Sequence, residues 1–357
     1  MKILFSLFYL FYFSLIGVYI IFMPKMLSDL GYSKIEIGIT YSLVPFIRFL
    51  LPFIFKYLIN LDRKIYILSL IVTTIITTLF LKSVSDFYSY LITNILFGAS
   101  IGVSLPFVEA IALDRLSKEE YGKVRLWGSI GFIAVALLLG NTINNPYQTL
   151  YYLISISIFT TIFGILIAKF DNLKDENIND NRSFSILKHL PFWISIFLMQ
   201  VSFGGFYNFF TIYELEQGIE IEIISILWSF GVICEIIMLY FQGKFLQKHL
   251  IKIIKISIII TSIRWLLLYL YPSNIYILFI SQSLHAFSFA LYHTAVITYI
   301  FSLYPQKRLA QQFVLGIGFG LGGAIGAILA GQVYGNYMFL VEATIAITAL
   351  LFILKHK

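Results

Sequence analysis

Twelve apolar runs, each near the length needed to cross a bilayer, constrain this chain more than any other feature. A spanning helix takes about 20 mostly apolar residues. Between polar breaks, the runs cover residues 3–23, 35–58, 65–82, 87–113, 124–143, 148–169, 189–213, 221–243, 251–271, 275–303, 309–334 and 337–354. Only 12% of the 357 residues are charged, against about 25% in soluble domains. The fold class is therefore all-α: a polytopic membrane protein with 12 transmembrane helices. The first run has the length of a signal peptide. It lacks a small-residue cleavage pattern and ends Phe22-Met23-Pro24-Lys25, so it reads as a retained helix.

The cations fix an orientation. With the N-terminus in the cytoplasm, inner tails and loops hold 20 of the 25 lysines and arginines, from Lys2 to Lys357. Outer loops hold only Lys25, Lys34 and Lys82, and Arg48 and Arg264 lie inside runs. This alternation predicts that both termini are cytoplasmic. It also accounts for the net charge of +7 without nucleic acid, since the charges sit in short clusters between apolar runs. Glu214, Glu216, Glu220 and Glu222 read as an acidic outer loop. Cys234 is the single cysteine, which excludes a disulfide framework and a thiolate metal cluster.

The longest hydrophilic stretch, 171–188, divides the runs six and six. The expected organisation is an N-terminal six-helix bundle (1–170), a cytoplasmic linker (171–188) and a C-terminal six-helix bundle (189–357). That is the major facilitator architecture, whose site lies near mid-membrane between two halves. Gly318, Gly320 and Gly323 spell a dinucleotide-type G-x-G-x-x-G, but within a membrane run. Gly316, Gly318, Gly320, Gly322 and Gly326 read instead as small-xxx-small packing positions. Asp62 and Arg63 follow the second run, where facilitators carry Gly-x-x-x-Asp-Arg-x-Gly-Arg; the glycines are missing here.

Glu235, Arg264, His285 and His293 sit deep in apolar runs. An ionisable group at mid-bilayer costs about 3 kcal/mol on insertion scales, so each marks a function and has a partner. Counted from Lys244, Lys255 and Tyr304 in turn, Glu235 and Arg264 lie about 13 Å from the inner surface and His293 about 16 Å, with His285 about 12 Å further out. The expected layer is Glu235, Arg264 and His293. In the tenth run Ser281, Gln282, His285, Ser288, Tyr292 and His293 share one helical face, which should line a cavity or a polar neighbour. Two readings stay open. Glu235 and Arg264 form a structural ion pair locking two helices, or the group exchanges a proton, with Glu235 carrying it, Arg264 controlling its pKa and His293 coupling it to substrate.

In the N-terminal half, Glu109 and Arg125 flank a short inner hairpin and can meet across it as a gate or latch, as can Asp62 and Arg63 beside the second run. Arg48 lies deeper and either pairs with Glu109 or holds a substrate carboxylate bidentately. Tyr207, Asn208, Gln282 and His285 are the remaining candidate substrate contacts.

Three stretches carry a resemblance. Tyr121-Gly-Lys-Val-Arg-Leu-Trp-Gly-Ser-Ile-Gly-Phe resembles the start of helix five in the 3-phenylpropionate permease family of facilitators. Leu227-Trp-Ser-Phe-Gly-Val-Ile-Cys-Glu235 resembles its helix eight. Ile263-Arg-Trp265 and the paired histidines of Leu284 to His293 resemble its helices nine and ten. That family is similar to the oligosaccharide/proton symporters, from which this chain departs in having no acid near either histidine of the tenth run. The resemblance implies a proton-driven importer of the bacterial inner membrane for an aromatic carboxylate, a sugar or a nucleoside. A uniporter or exporter with a structural charge network is the alternative. No Asp-x-Asp, His-x-x-x-x-Asp or long loop supports a membrane-embedded enzyme or sensor. The expected partners are a small-molecule substrate and the lipid bilayer, with a proton as coupling ion, no cofactor, no metal and a monomeric state.

Overall fold

The computed structural model describes residues 1–356 except 58–61, 117, 144, 172–184, 248 and 305–306. Twelve helical segments of spanning length follow one another among the described residues, with no strand. They are α1 (Lys2–Asp29), α2 (Lys34–Tyr57), α3 (Arg63–Ser83), α4 (Phe87–Arg115), α5 (Lys118–Gly140), α6 (Pro146–Ile167), α7 (Leu187–Glu216), α8 (Ile221–Phe241), α9 (Leu250–Leu270), α10 (Ile275–Leu303), α11 (Ala310–Gln332) and α12 (Met338–Lys355). Short polar residues start several of them. Asp62 accepts from the Ile65 N–H, Asp86 from the Ser89 N–H and Asn274 from the Tyr276 and Ile277 N–H groups. Asn145 and Gln148 close a capping box ahead of α6. Each cap satisfies a helix N–H that has no acceptor in its own helix.

The chain forms two compact units, Met1–Glu176 and Asn177–Lys357. Most of the expected linker, at 172–184, lies outside the described residues. Inside the first unit, hydroxyls join helices where lipid offers no partner. Thr74 pairs with Thr161, Thr77 with Ser157 and Thr73 with Ser100, all at 2.8–2.9 Å. Ser14 of α1 donates to the Gly131 carbonyl of α5 at 2.9 Å. A Cβ at Gly131 would meet the Leu10 carbonyl oxygen at 2.1 Å, so only glycine permits that crossing.

In the second unit the glycines of α11 do the corresponding work. Gly318 and Gly322 sit against Ile196, Phe197 and Gln200 of α7, and Gly326 against Val201 and Gly204. This is the packing role expected for the G-x-G-x-x-G stretch. Among the described residues, several helices depart from regular α geometry. π-Helical turns occupy Val18–Phe22 in α1, Ala286–Leu291 in α10 and Val314–Gly322 within α11. The α7 helix is interrupted at Ser202–Phe203, leaving helical halves Leu190–Val201 and Gly204–Glu216.

The seventh helix also corrects the sequence reading at its end. It runs to Glu216, past the expected residue 213, and Glu214 is 0% exposed instead of lying in an outer loop. The position of Glu214 among three other glutamates made it read as loop.

Candidate functional site

Arg264 of α9 is 0% exposed and organises the second unit. Its Nη1 reaches His285 Nδ1 at 3.0 Å and donates to Ser288 Oγ at 3.2 Å; its Nη2 donates to Gln282 Oε1 at 3.2 Å. Its guanidinium carbon lies 4.1 Å from the centre of the Phe206 ring and 4.7 Å from that of Trp265. All three hydrogen-bonding partners belong to the polar face of α10, which is buried against α9. The hydrogen bonds fix the chemistry of the histidine. Arginine only donates, so Nδ1 must offer its lone pair, and neutral His285 carries its proton on Nε2. That Nε2 faces Glu235 Oε2 at 3.8 Å, longer than a hydrogen bond.

This corrects the expected layer. Arg264 joins His285, not His293, and His285 stands between Arg264 and Glu235. The error lies in the reference point: depth was counted from Lys255, which lies inside the expected run 251–271 as it does inside α9. His249 adopts left-handed backbone (φ 60°) and turns the chain into a helix that starts at Leu250. Lys252 and Lys255 are therefore on the helix. Arg264 is fourteen residues in, a rise of about 21 Å. His293 stacks on Phe289 and meets Phe319 edge-on, contacts of packing. Tyr207 stacks on Phe203, within the field of Glu235 and Arg264, and Asn208 donates back to the Gly204 carbonyl at 2.7 Å.

One residue of this cluster was missed. Glu342 of α12 is 3% exposed and accepts from the Gly205 N–H, at the break in α7. It also acts electrostatically on Arg264. It is the single acid of its apolar run, so the rule that singled out Glu235 applies to it equally.

In the first unit Glu109 and Arg125 meet as expected, Nε to Oε1 at 3.3 Å, with the Tyr121 hydroxyl donating to the same oxygen at 3.4 Å. The Arg125 guanidinium covers the Phe13 ring at 4.1 Å. Arg48 does not share that carboxylate. It is exposed, and among the described residues it makes no ion pair or hydrogen bond. Its charge acts on Tyr12 and Tyr19. Among the described residues Asp62 and Arg63 form no ion pair either, and Asp62 caps α3.

The model of the family described as MFS_1 like matches residues 3–342. The chain belongs to the MFS_1-like family. It is 25% identical over 362 residues to the "Probable 3-phenylpropionic acid transporter" of Escherichia coli (strain K12), covering 96% of this chain and 94% of that one. It is also 25% identical over 329 residues to transporter YwbF of Bacillus subtilis (strain 168), covering 88% and 82%. Among solved structures, the nucleoside transporter NupG superposes with a TM-score of 0.84 at 17% identity, covering 100% of this chain and 99% of that one. A bacterial homolog of the human lysosomal transporter Spinster, inward-facing and unoccupied, gives 0.69 at 12% identity, covering 99% and 95%. The major facilitator fold and a transporter's role follow, and this MFS_1-like transporter is not an enzyme.

Proposed function

We propose that this MFS_1-like transporter imports a small organic carboxylate together with a proton by alternating access, in a bacterial inner membrane with both termini cytoplasmic. An aromatic monocarboxylate such as 3-phenylpropionate is the first candidate. The observation that carries the reading is Arg48. Of the deep arginines, Arg264 is occupied by His285, Ser288 and Gln282, while Arg48 is exposed and without an acidic partner among the described residues. An unneutralised guanidinium on a spanning helix calls for an anion, and its planar fork matches a carboxylate. The nearby Tyr12 and Tyr19 suit an aromatic body. The name of the E. coli relative points to the same class. In the second unit Glu235, with the neutral His285 between it and Arg264, supports a site where a proton is gained and lost.

The test is uptake of radiolabelled 3-phenylpropionate into proteoliposomes, with unlabelled benzoate, a hexose and a nucleoside as competitors. Saturable uptake blocked by aromatic acids and lost in Arg48→Ala is expected. Competition by the sugar or nucleoside alone, or unchanged uptake in Arg48→Ala, contradicts the reading.

A further inference from the structure

Besides Glu235 and His285, the cluster around Arg264 holds a second acid, Glu342. Arg264 brings one positive charge. His285 is neutral because its Nδ1 accepts from Arg264. Glu235 faces His285, and Glu342 acts electrostatically on Arg264. Glu342 makes no ion pair among the described residues, and an ionised carboxyl in an apolar interior costs several kcal/mol. A proton on Glu342 removes that cost. Glu235 keeps 20% of its side chain exposed. Glu342 is sealed: its Oε1 takes the Gly205 N–H, and its Oε2 is buried with no hydrogen-bond partner.

We propose that Glu342 of α12 is a proton-binding residue of this transporter, and that its protonation is coupled to the break in α7. The inference deepens the proton-coupled reading above. The geometry supplies the coupling. The segment Gly204–Glu216 begins anew after Ser202–Phe203, so its first N–H groups have no helical acceptor and carry the positive end of its dipole. The Glu342 carboxyl occupies that position, with the Phe206 N–H beside the Gly205 N–H. Glycine is required for the approach. A Cβ at Gly205 would lie 2.8 Å from Glu342 Oε1, and one at Gly204 would lie 2.1 Å from the Gly326 carbonyl oxygen. The Phe206 side chain in turn lies under the Arg264 guanidinium. Ionised Glu342 holds the start of the half-helix by charge-assisted hydrogen bonds. Protonation weakens them and releases Arg264 toward Glu235. The half-helix that responds carries Tyr207 and Asn208.

The groups facing Glu342 can be named helix by helix. From α9 comes Arg264. From Gly204–Glu216 come the two N–H groups and, within the field of Arg264, Tyr207. The packed half Leu190–Val201 has no titratable side chain. Among the described residues of the unit, Glu214 is another sealed carboxyl, with neither oxygen hydrogen-bonded.

The experiment is infrared difference spectroscopy of the purified, lipid-reconstituted protein between acid and alkaline pH, in H2O and D2O, with no substrate present. Spectra of wild type, Glu342→Gln, Glu235→Gln and Glu214→Gln are compared, so that each acid is read by difference. A protonated-carboxyl band that titrates in wild type, disappears in Glu342→Gln and survives in the other two is expected. An unchanged titrating band in Glu342→Gln overturns the proposal. If Glu342→Gln does not fold, Glu342→Asp decides: a shifted band supports the proposal and an unshifted one overturns it. Counterflow of 3-phenylpropionate then separates this inference from the transport reading. Counterflow retained in Glu342→Gln without gradient-driven accumulation supports proton binding at Glu342. An absence of all 3-phenylpropionate transport in wild type removes the substrate assignment and leaves the infrared result standing.

Discussion

The guanidinium of Arg264 donates to His285 Nδ1 at 3.0 Å, and this hydrogen bond places the histidine's proton on Nε2, facing Glu235. Nitrogen NMR of protein labelled at its five histidines should therefore show one buried ring as the Nε2–H tautomer, and Arg264→Gln should abolish that signal's tautomer preference. An Nδ1–H tautomer for His285 would show that the ring is oriented by something other than Arg264.

Removing the charge at Arg264 should also be costly to the fold. Arg264→Ala leaves Gln282, His285 and Ser288 facing a void and strips the Phe206 and Trp265 rings of their shared cation. Breaking a buried charged network by deleting one partner costs about 3–5 kcal/mol. Thermal unfolding in detergent should show a Tm well below wild type, with Arg264→Lys intermediate because an ammonium cannot fork between these partners.

Arg48 should behave in the opposite way. It is exposed and makes no ion pair among the described residues, so Arg48→Ala should leave stability within about 0.5 kcal/mol of wild type. A charge-assisted hydrogen bond to a ligand contributes about 1.5–3 kcal/mol. Isothermal titration with 3-phenylpropionate should then show a Kd raised about tenfold to a hundredfold. Equal loss of stability and binding would make Arg48 a structural residue.

The Gly204–Gly326 crossing is a packing prediction. A Cβ at Gly204 would meet the Gly326 backbone at 2.1 Å, whereas one at Gly243 would meet nothing within 4 Å. Overpacking of this kind costs about 1–3 kcal/mol. Gly204→Ala should lower Tm and Gly243→Ala should not.

A pH effect on stability is expected at the C-terminal end. Burial, then the neighbouring His189 and Lys255, hold the His356 imidazole below the usual histidine range, and its ring contacts the Tyr299 hydroxyl at 2.9 Å. The unfolded chain binds that proton more readily than the folded one. The contribution of His356 is therefore fully present above the unfolded pKa of about 6.5 and fades as pH falls through that value toward the depressed folded pKa. Tm measured from pH 8 to pH 5 should fall less steeply in His356→Gln than in wild type.

The fold was legible because bilayer thickness imposes run length and loop lysines alternate in density, and both signals are written residue by residue. The Glu109–Arg125 contact was legible because a short hairpin leaves those two side chains little alternative. Arg264 was misplaced because depth was counted from Lys255, although the expected run began at 251 and Lys255 lies within it. Glu342 was visible by its type and position. Its role was not, because the break in α7 that it caps contains no proline and is made by backbone at Ser202–Phe203. Whether Arg48 is paired depends on which arginine Glu109 chooses, a three-dimensional question.

The most direct test is proton movement driven by substrate. Proteoliposomes carrying an internal pH dye, held well above the pKa of 3-phenylpropionic acid, receive external 3-phenylpropionate, with protein-free vesicles subtracted for permeation of the neutral acid. Internal acidification in wild type, lost in Arg48→Ala and in Glu235→Gln, is the predicted result. Saturable 3-phenylpropionate entry with no acidification, or full acidification in Glu235→Gln, would contradict a proton-coupled carboxylate carrier built on these residues.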